Sequence, residues 1–130
     1  MSTERLVHHE LCFGCGRTNL FGLVMDVAPT GERQVHGRGF VKQDHQGPVP
    51  GMAHEGVMTA ALSEAMSFAA GPGKQASGIE VDLQAQAPVG AFLDVEAQAR
   101  ETPDGATEAH ATASLDGRAV ATARGTYRRR

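Results

Sequence analysis

Tryptophan is absent, tyrosine occurs once, and five phenylalanines complete the aromatic set of this 130-residue chain. Hydrophobic residues still make up 41% of it, so its core has to be built largely from small aliphatic side chains. Charge of one sign is not in excess either. The net charge of −3 excludes a general basic field of the kind that attracts nucleic acid. The closing Arg128-Arg129-Arg130 is a local cationic end, expected to be a frayed, solvated terminus; the alternative is a contact with a phosphate-bearing ligand. No stretch approaches the roughly 20 continuous apolar residues of a membrane span. The first ten residues lack the apolar centre of a signal peptide. The expectation is a cytoplasmic protein with reduced thiols. Internal repeats, low-complexity tracts and linkers are also missing, which suits one domain over residues 1–130, with 1–20 an irregular lead-in.

Cysteine is scarce as well. The two present form Cys12-x-x-Cys15, preceded by His8 and His9. That spacing suits half of a zinc site or a redox pair. A four-ligand site needs a second ligand pair, and no second Cys pair exists. A redox motif would be followed by a helix, whereas 16–22 reads as loop. The cysteines are therefore expected to belong to a structural lead-in, with no metal and no cofactor.

What the chain does have is patterning. Leu23, Met25 and Val27 alternate with polar neighbours and predict a first strand from Phe21. Pro29-Thr30-Gly31-Glu32 signals a turn. A second strand is expected over about 33–42; its Gly37 and Gly39 imply close packing, with the central helix as the candidate neighbour. Three further runs, 77–87, 91–101 and 106–115, alternate apolar and polar residues. Pro88-Val89-Gly90 and Pro103-Asp104-Gly105 separate them. Asp116-Gly117 is a two-residue hairpin signal leading to a last strand over 118–128. Consecutive hairpins predict an antiparallel sheet with one wet face.

Between the second and third strands lies DHQGPVPGMAHEGVMTAALSEAMSFAAG, residues 44–71. It opens as a Gly/Pro-rich loop and becomes a helix expected over about 53–70, ended by Gly71-Pro72-Gly73. Apolar residues occupy nearly every side of it, which predicts a buried helix. Glu55, Ser63 and Glu64 interrupt that surface. Polar groups on a buried helix are costly unless partnered, so these three point to function. The economical architecture is α+β: an antiparallel sheet of about six strands wrapped around one central helix.

Several segments in this order resemble the hotdog-fold acyl-CoA thioesterases of the phenylacetate-degradation type. CFGCGRTNLFGL (12–23) is similar to that family's lead-in of Cys-x-x-Cys-Gly, Asn and Gly-Leu. HQGPVPGMAHEGVMTAALSEAM (45–66) is similar to its loop and helix start, His-Gly-Gly-x6-Asp followed by Glu. QAQAPVG (84–90) and DGRAVATARGTY (116–127) match its strand ending in Pro-Val-Gly and its last hairpin. The resemblance covers about 10–127. It implies a homodimer or homotetramer with an acyl-CoA site between subunits, the helix start of one copy facing residues of the other.

Thioester hydrolysis needs donors for the developing oxyanion and a group that activates water or attacks the carbonyl. A helix N-terminus supplies the donors. The resemblance implies that the amide after His54, that of Glu55, polarises the carbonyl, with Gly56 as a second donor and His54 bordering the site. It puts the family's carboxylate at Ser63. The chain departs from the pattern twice, with Glu55 for a glycine and Ser63 for the aspartate. Positions 56 and 63 lie within roughly 20° on a helix, while Glu64 is rotated by about 100° from Ser63. The expected roles are Glu64, or else Glu55, as a base whose pKa burial raises, and Ser63 as the holder of water. Ser63 as a nucleophile is a further option. Asn19 and His45 are the substrate-binding candidates, against structural readings in which Asn19 caps the lead-in loop and His45 supports its own loop. The competing classes are a non-catalytic acyl-CoA-binding protein and a hydroxyacyl-thioester dehydratase. The latter rests on the similar run Glu64-Ala-Met-x-x-Ala-Ala-Gly71 and would pair Glu64 with His45 or His54.

Overall fold

The computed structural model describes residues 5–130; residues 1–4 and the part of the N-terminal reading that falls on them lie outside the described residues. Six strands and one long helix follow an irregular lead-in. The strands are β1 (Asp26–Gly31), β2 (Gln34–Phe40), β3 (Lys74–Leu83), β4 (Phe92–Glu101), β5 (Thr107–Leu115) and β6 (Arg118–Arg129). Helix α1 (Glu55–Ala70) stands between β2 and β3, and a 3-10 turn (Gln43–His45) lies in the loop before it. The sheet is antiparallel with the order β1-β2-β4-β5-β6-β3.

Alternation places the core as expected over most of the sheet. Leu93, Val95 and Ala97 of β4 and Ala109, Ala111 and Ala113 of β5 are buried, with their polar neighbours outside. Alanines there let α1 lie close, and the helix packs chiefly on β4 and β5. Met58, Leu62, Ala65 and Met66 fill the space between. At Gly125 of β6 a Cβ would come 3.0 Å from the Tyr127 ring and 3.4 Å from the Met66 methyl, so the tight neighbour of that glycine is the tyrosine.

Turns follow the local chemistry. Asp116 (φ 49°) and Gly117 (φ 82°) are both left-handed, as a type I′ hairpin requires. The β1–β2 turn sits at Glu32-Arg33, later than the Pro29-Thr30-Gly31-Glu32 signal, with Arg33 at φ 55°. In β6 a bulge shifts the register between the pairs Ala113–Ala121 and Ser114–Ala119. It turns Val120 inward and Ala119 outward.

Three expectations are corrected, and a fourth in part. Leu23 and Met25 are buried, but their amides bond to the Phe13 and Gly14 carbonyls of the lead-in (2.8 Å each) instead of to a strand. Gly37 and Gly39 make room for Met25, with a Cβ at either falling 3.0 Å from it, and not for the helix. The segments around 77–87 and 91–101 do not form a hairpin: β3 pairs with β6 at one edge, and β4 lies between β2 and β5. The connection 84–91 instead runs past the start of α1, where Ala53 N–H donates to the Ala87 carbonyl (2.7 Å) and Val89 N–H to that of Gly51 (2.9 Å). The C-terminal arginines are solvent-exposed as expected, but their backbone is paired: Arg129 pairs with Lys74 and Arg130 N–H reaches the Gly73 carbonyl at 3.1 Å.

Candidate functional site

The loop before α1 is pinned from both sides. His45 is buried; its Nδ1 accepts from Lys42 N–H (3.1 Å) and its Nε2–H donates to the Phe21 carbonyl (3.2 Å). The His45 carbonyl accepts from His54 N–H at 2.8 Å. His54 is then the N-cap of α1, its Nδ1 accepting from Gly56 N–H at 2.8 Å. Glu55, the first helical residue, keeps an amide that has no hydrogen-bond partner among the described residues. Of the two expected donors, Gly56 is thus capped and Glu55 is free. The Glu55 carboxylate is exposed, 3.9 Å from His54 Nε2. A cleft of about 210 Å³ opens here between Glu55 and Met58 of the helix and the stretch from Leu83 to Gln86.

Two turns along, Ser63 and Glu64 face a larger groove of about 720 Å³ between the helix and the lead-in, with His8, Cys12, Ser67 and Phe68 along its walls. Ser63 is half-buried, and Tyr127 Oη–H points to its carbonyl at 3.5 Å. Glu64 is buried, but it does not look toward the helix start. Its Oε2 lies 2.9 Å from His8 Nδ1 and 3.4 Å from Cys12 Sγ. A Cβ on Gly14 would overlap the Glu64 carboxylate, so the lead-in closes over Glu64 only because residue 14 lacks a side chain.

Electrostatics follow that geometry. Burial pushes the Glu64 carboxyl up, but hydrogen bonds from His8 and the cysteines, with the field of His8, bring it below its ordinary value. The expectation of a burial-raised base is corrected accordingly. The hydrogen bond to Glu64 is likewise the main reason that His8 is raised, against its desolvation. Burial drives the Cys15 thiol upward.

The remaining candidates are placed as follows. Asn19 clasps the lead-in, with Nδ2–H donating to the Leu11 carbonyl (3.0 Å) and Oδ1 accepting from Phe21 N–H (3.1 Å). His45 has both ring nitrogens engaged by backbone. The pairing of Glu64 with His45 or His54 that a dehydratase would use is not assembled, since Glu64 is joined to His8 instead. Glu55 and Ser63 are eight residues apart, about 12 Å along the helix axis. One copy of the chain therefore cannot bring both to one carbonyl.

His8 is the residue that sequence reasoning left without a role. Its ring stacks on Phe68 with centroids 3.9 Å apart, and its Nε2 meets Ser67 Oγ at 3.2 Å. The second ligand pair missing beside Cys12 and Cys15 is present in space: His8, Cys12, Cys15 and Glu64 offer ligand atoms that all lie within 4.8 Å of one another. The adjacent His8 was a visible signal. Glu64 was not, being 52 residues from Cys12.

No protein-family model and no curated protein matches the sequence. Solved structures do match the fold. One is a thioesterase superfamily protein, with TM-score 0.82 and 16% identity over 91% of this chain. This chain spans 60% of that protein's length. Another is the Escherichia coli PaaI protein from the phenylacetic acid degradation operon, with TM-score 0.75 and 20% identity over 83% of this chain and 80% of that one. The TT0310 protein of Thermus thermophilus matches with TM-score 0.74 and 23% identity, over 82% of this chain and 92% of that one. The chain has the hotdog fold of these thioesterase-superfamily and PaaI proteins. Its α1 is the hotdog helix, and the capping His54 with the free Glu55 amide stands at that helix's start. Among the described residues no helix is long and apolar enough to cross a membrane.

Proposed function

We propose that this protein hydrolyses acyl-CoA thioesters at a site shared by two copies of the chain. The observation that carries the reading is the Glu55 amide. It is unpartnered, at the positive end of the central helix, and beside a cleft. An amide so placed stabilises the oxyanion that forms when water attacks a thioester carbonyl. His54 sharpens it by occupying the neighbouring Gly56 amide.

The second copy brings Ser63 opposite this amide, which the 12 Å separation within one helix forbids for a single copy. Pairing is supported by β3, an edge strand exposed on both faces that carries Ile79 and Leu83. Unpaired strand edges are templates for association. The half-exposed stripe Ala60, Ser63 and Ser67 supports an approach of two hotdog helices.

In this mechanism Ser63 Oγ holds the water and the exposed Glu55 carboxylate takes its proton as the new C–O bond forms. Collapse of the tetrahedral intermediate breaks the C–S bond, and the proton passes to the departing thiolate. Glu55 ranks before Glu64 because His8 holds the Glu64 carboxylate. The expected location is the cytoplasm, with reduced thiols.

The test is thiol release from a panel of acyl-CoAs. Proline is favoured at the first helical position, and the extended His54 (φ −63°, ψ 141°) suits a residue before proline. Glu55→Pro therefore removes the donor amide together with the carboxylate while preserving the helix. It should lower kcat at least ~10²–10³-fold with an unchanged melting temperature. Glu55→Gln keeps the amide and should lower kcat ~10²–10⁴-fold by removing the base. A second reading, binding without turnover, is favoured by Ser63 standing where the family's pattern has aspartate. Acyl-CoA binding with no thiol release, and hydrolysis gained in Ser63→Asp, would replace the first reading with it.

A further inference from the structure

His8, Cys12, Cys15 and Glu64 come together at a single point under the lead-in. We propose that they form a closed, four-ligand site for zinc that fastens residues 5–25 to the central helix. The proposal is independent of the thioesterase reading.

Spacing is the first argument. With metal–sulfur bonds of about 2.3 Å and metal–nitrogen or metal–oxygen bonds of about 2.0–2.1 Å, a tetrahedron has edges of roughly 3.6 Å from sulfur to nitrogen or oxygen and roughly 3.3 Å from nitrogen to oxygen. Here Cys12 Sγ and Cys15 Sγ lie 3.7 and 3.6 Å from His8 Nδ1. Cys12 Sγ lies 3.6 and 3.4 Å from the two Glu64 oxygens, and His8 Nδ1 is 2.9 Å from Glu64 Oε2. These four edges are within a few tenths of an ångström of the tetrahedral value, and the other two, which join Cys15 to Cys12 and to Glu64, are no longer than 4.8 Å, so a metal fits with modest side-chain adjustments.

The surroundings are those of a ligand set. The His8 amide donates to Cys15 Sγ at 3.1 Å, a bond that favours thiolate. His8 presents Nδ1 to the cluster, and its Nε2 lies 3.2 Å from Ser67 Oγ; with Nδ1 on a metal, Nε2–H would donate to that oxygen, as metal-bound histidines do to their outer-shell partners. Phe68 holds the opposite degree of freedom by stacking on the ring. Glycines at 14 and 16 flank Cys15 and are required by contact: a Cβ at 14 would overlap Glu64, and one at 16 would strike the Glu10 and Cys12 backbone.

The donor set selects the metal. Two sulfurs, an imidazole and one carboxylate suit borderline-soft Zn²⁺ and disfavour magnesium or calcium. Four protein ligands complete a tetrahedron, so the site has a structural role. It also accounts for Glu64 being the one polar residue among the buried side chains of the helix.

The experiment uses untagged full-length protein, purified reduced and without chelator, with metal measured by inductively coupled plasma mass spectrometry. One zinc per chain is expected, and about none in Cys12→Ser or Cys15→Ser. Cobalt added to zinc-free wild-type protein should give thiolate-to-cobalt charge transfer and the d–d bands of tetrahedral cobalt. Ser67→Ala should weaken binding roughly 10–100-fold and leave the thiol count at two. Wild-type protein that is folded, has two titratable thiols and shows no tetrahedral cobalt spectrum would overturn the proposal. So would a Cys12–Cys15 disulfide that forms in zinc-replete protein. Both outcomes are read on wild-type protein, so misfolding of a variant does not decide the matter.

Discussion

Gly14 shows how much depends on a single atom. The lead-in reaches Glu64 because residue 14 has no Cβ; an added methyl would occupy the carboxylate's place. Gly14→Ala should push Glu64 away from His8 and Cys12 and destabilise the protein by about 1–3 kcal/mol, the ordinary cost of overpacking. Thermal melting of the two proteins checks this, and an unchanged midpoint would mean that the lead-in sits farther from the helix. At this scale the sequence was only partly legible. It pointed to Glu55, Ser63 and Glu64 as polar intrusions on an apolar helix. It left the direction of each open, because a helix pattern specifies an angle around an axis and not the neighbour found there. Glu64 turned out to face His8, which lowers its pKa where burial alone would raise it. His45 and Asn19 spend their polar atoms on backbone, in line with the structural reading of each and not with the substrate-contact one.

Helix α1 is the element most completely encoded. Its apolar surface, the Gly71 stop and its burial all follow from local pattern. Only the start moved, from about 53 to Glu55, because His54 caps with its own ring. Leu62 is fully buried at the helix centre. Leu62→Ala should cost about 2–5 kcal/mol through lost burial and the cavity left behind, measured by urea unfolding with an unchanged slope. A loss under 1 kcal/mol would show that the small-residue sheet collapses onto the gap. Strands β4, β5 and β6 were legible for the same reason, since period-two alternation marks a half-buried strand. β3 was legible as a strand and misleading as to burial. Ile79 and Leu83 alternate as core residues do, yet both are exposed.

For the molecule as a whole, that exposure has a purpose if two copies pair along β3. Ile79→Lys combined with Leu83→Lys should convert a dimer to a monomer in sedimentation equilibrium and reduce thiol release in parallel, because Glu55 and Ser63 would no longer meet. A double variant that stays dimeric would move the interface elsewhere. The sequence by itself determined the sheet-and-helix composition, the central helix and the Asp116-Gly117 hairpin, since each is written in contacts between residues close along the chain. The tertiary structure alone decided three other things. It sent β3 to the far edge beside β6, carried 84–91 across the helix start, and brought His8, Cys12 and Cys15 to Glu64. Alternation records which face of a strand is buried and not which strand lies beside it. A ligand set split by 52 residues has no local pattern at all, and forms only when the lead-in is packed against the helix.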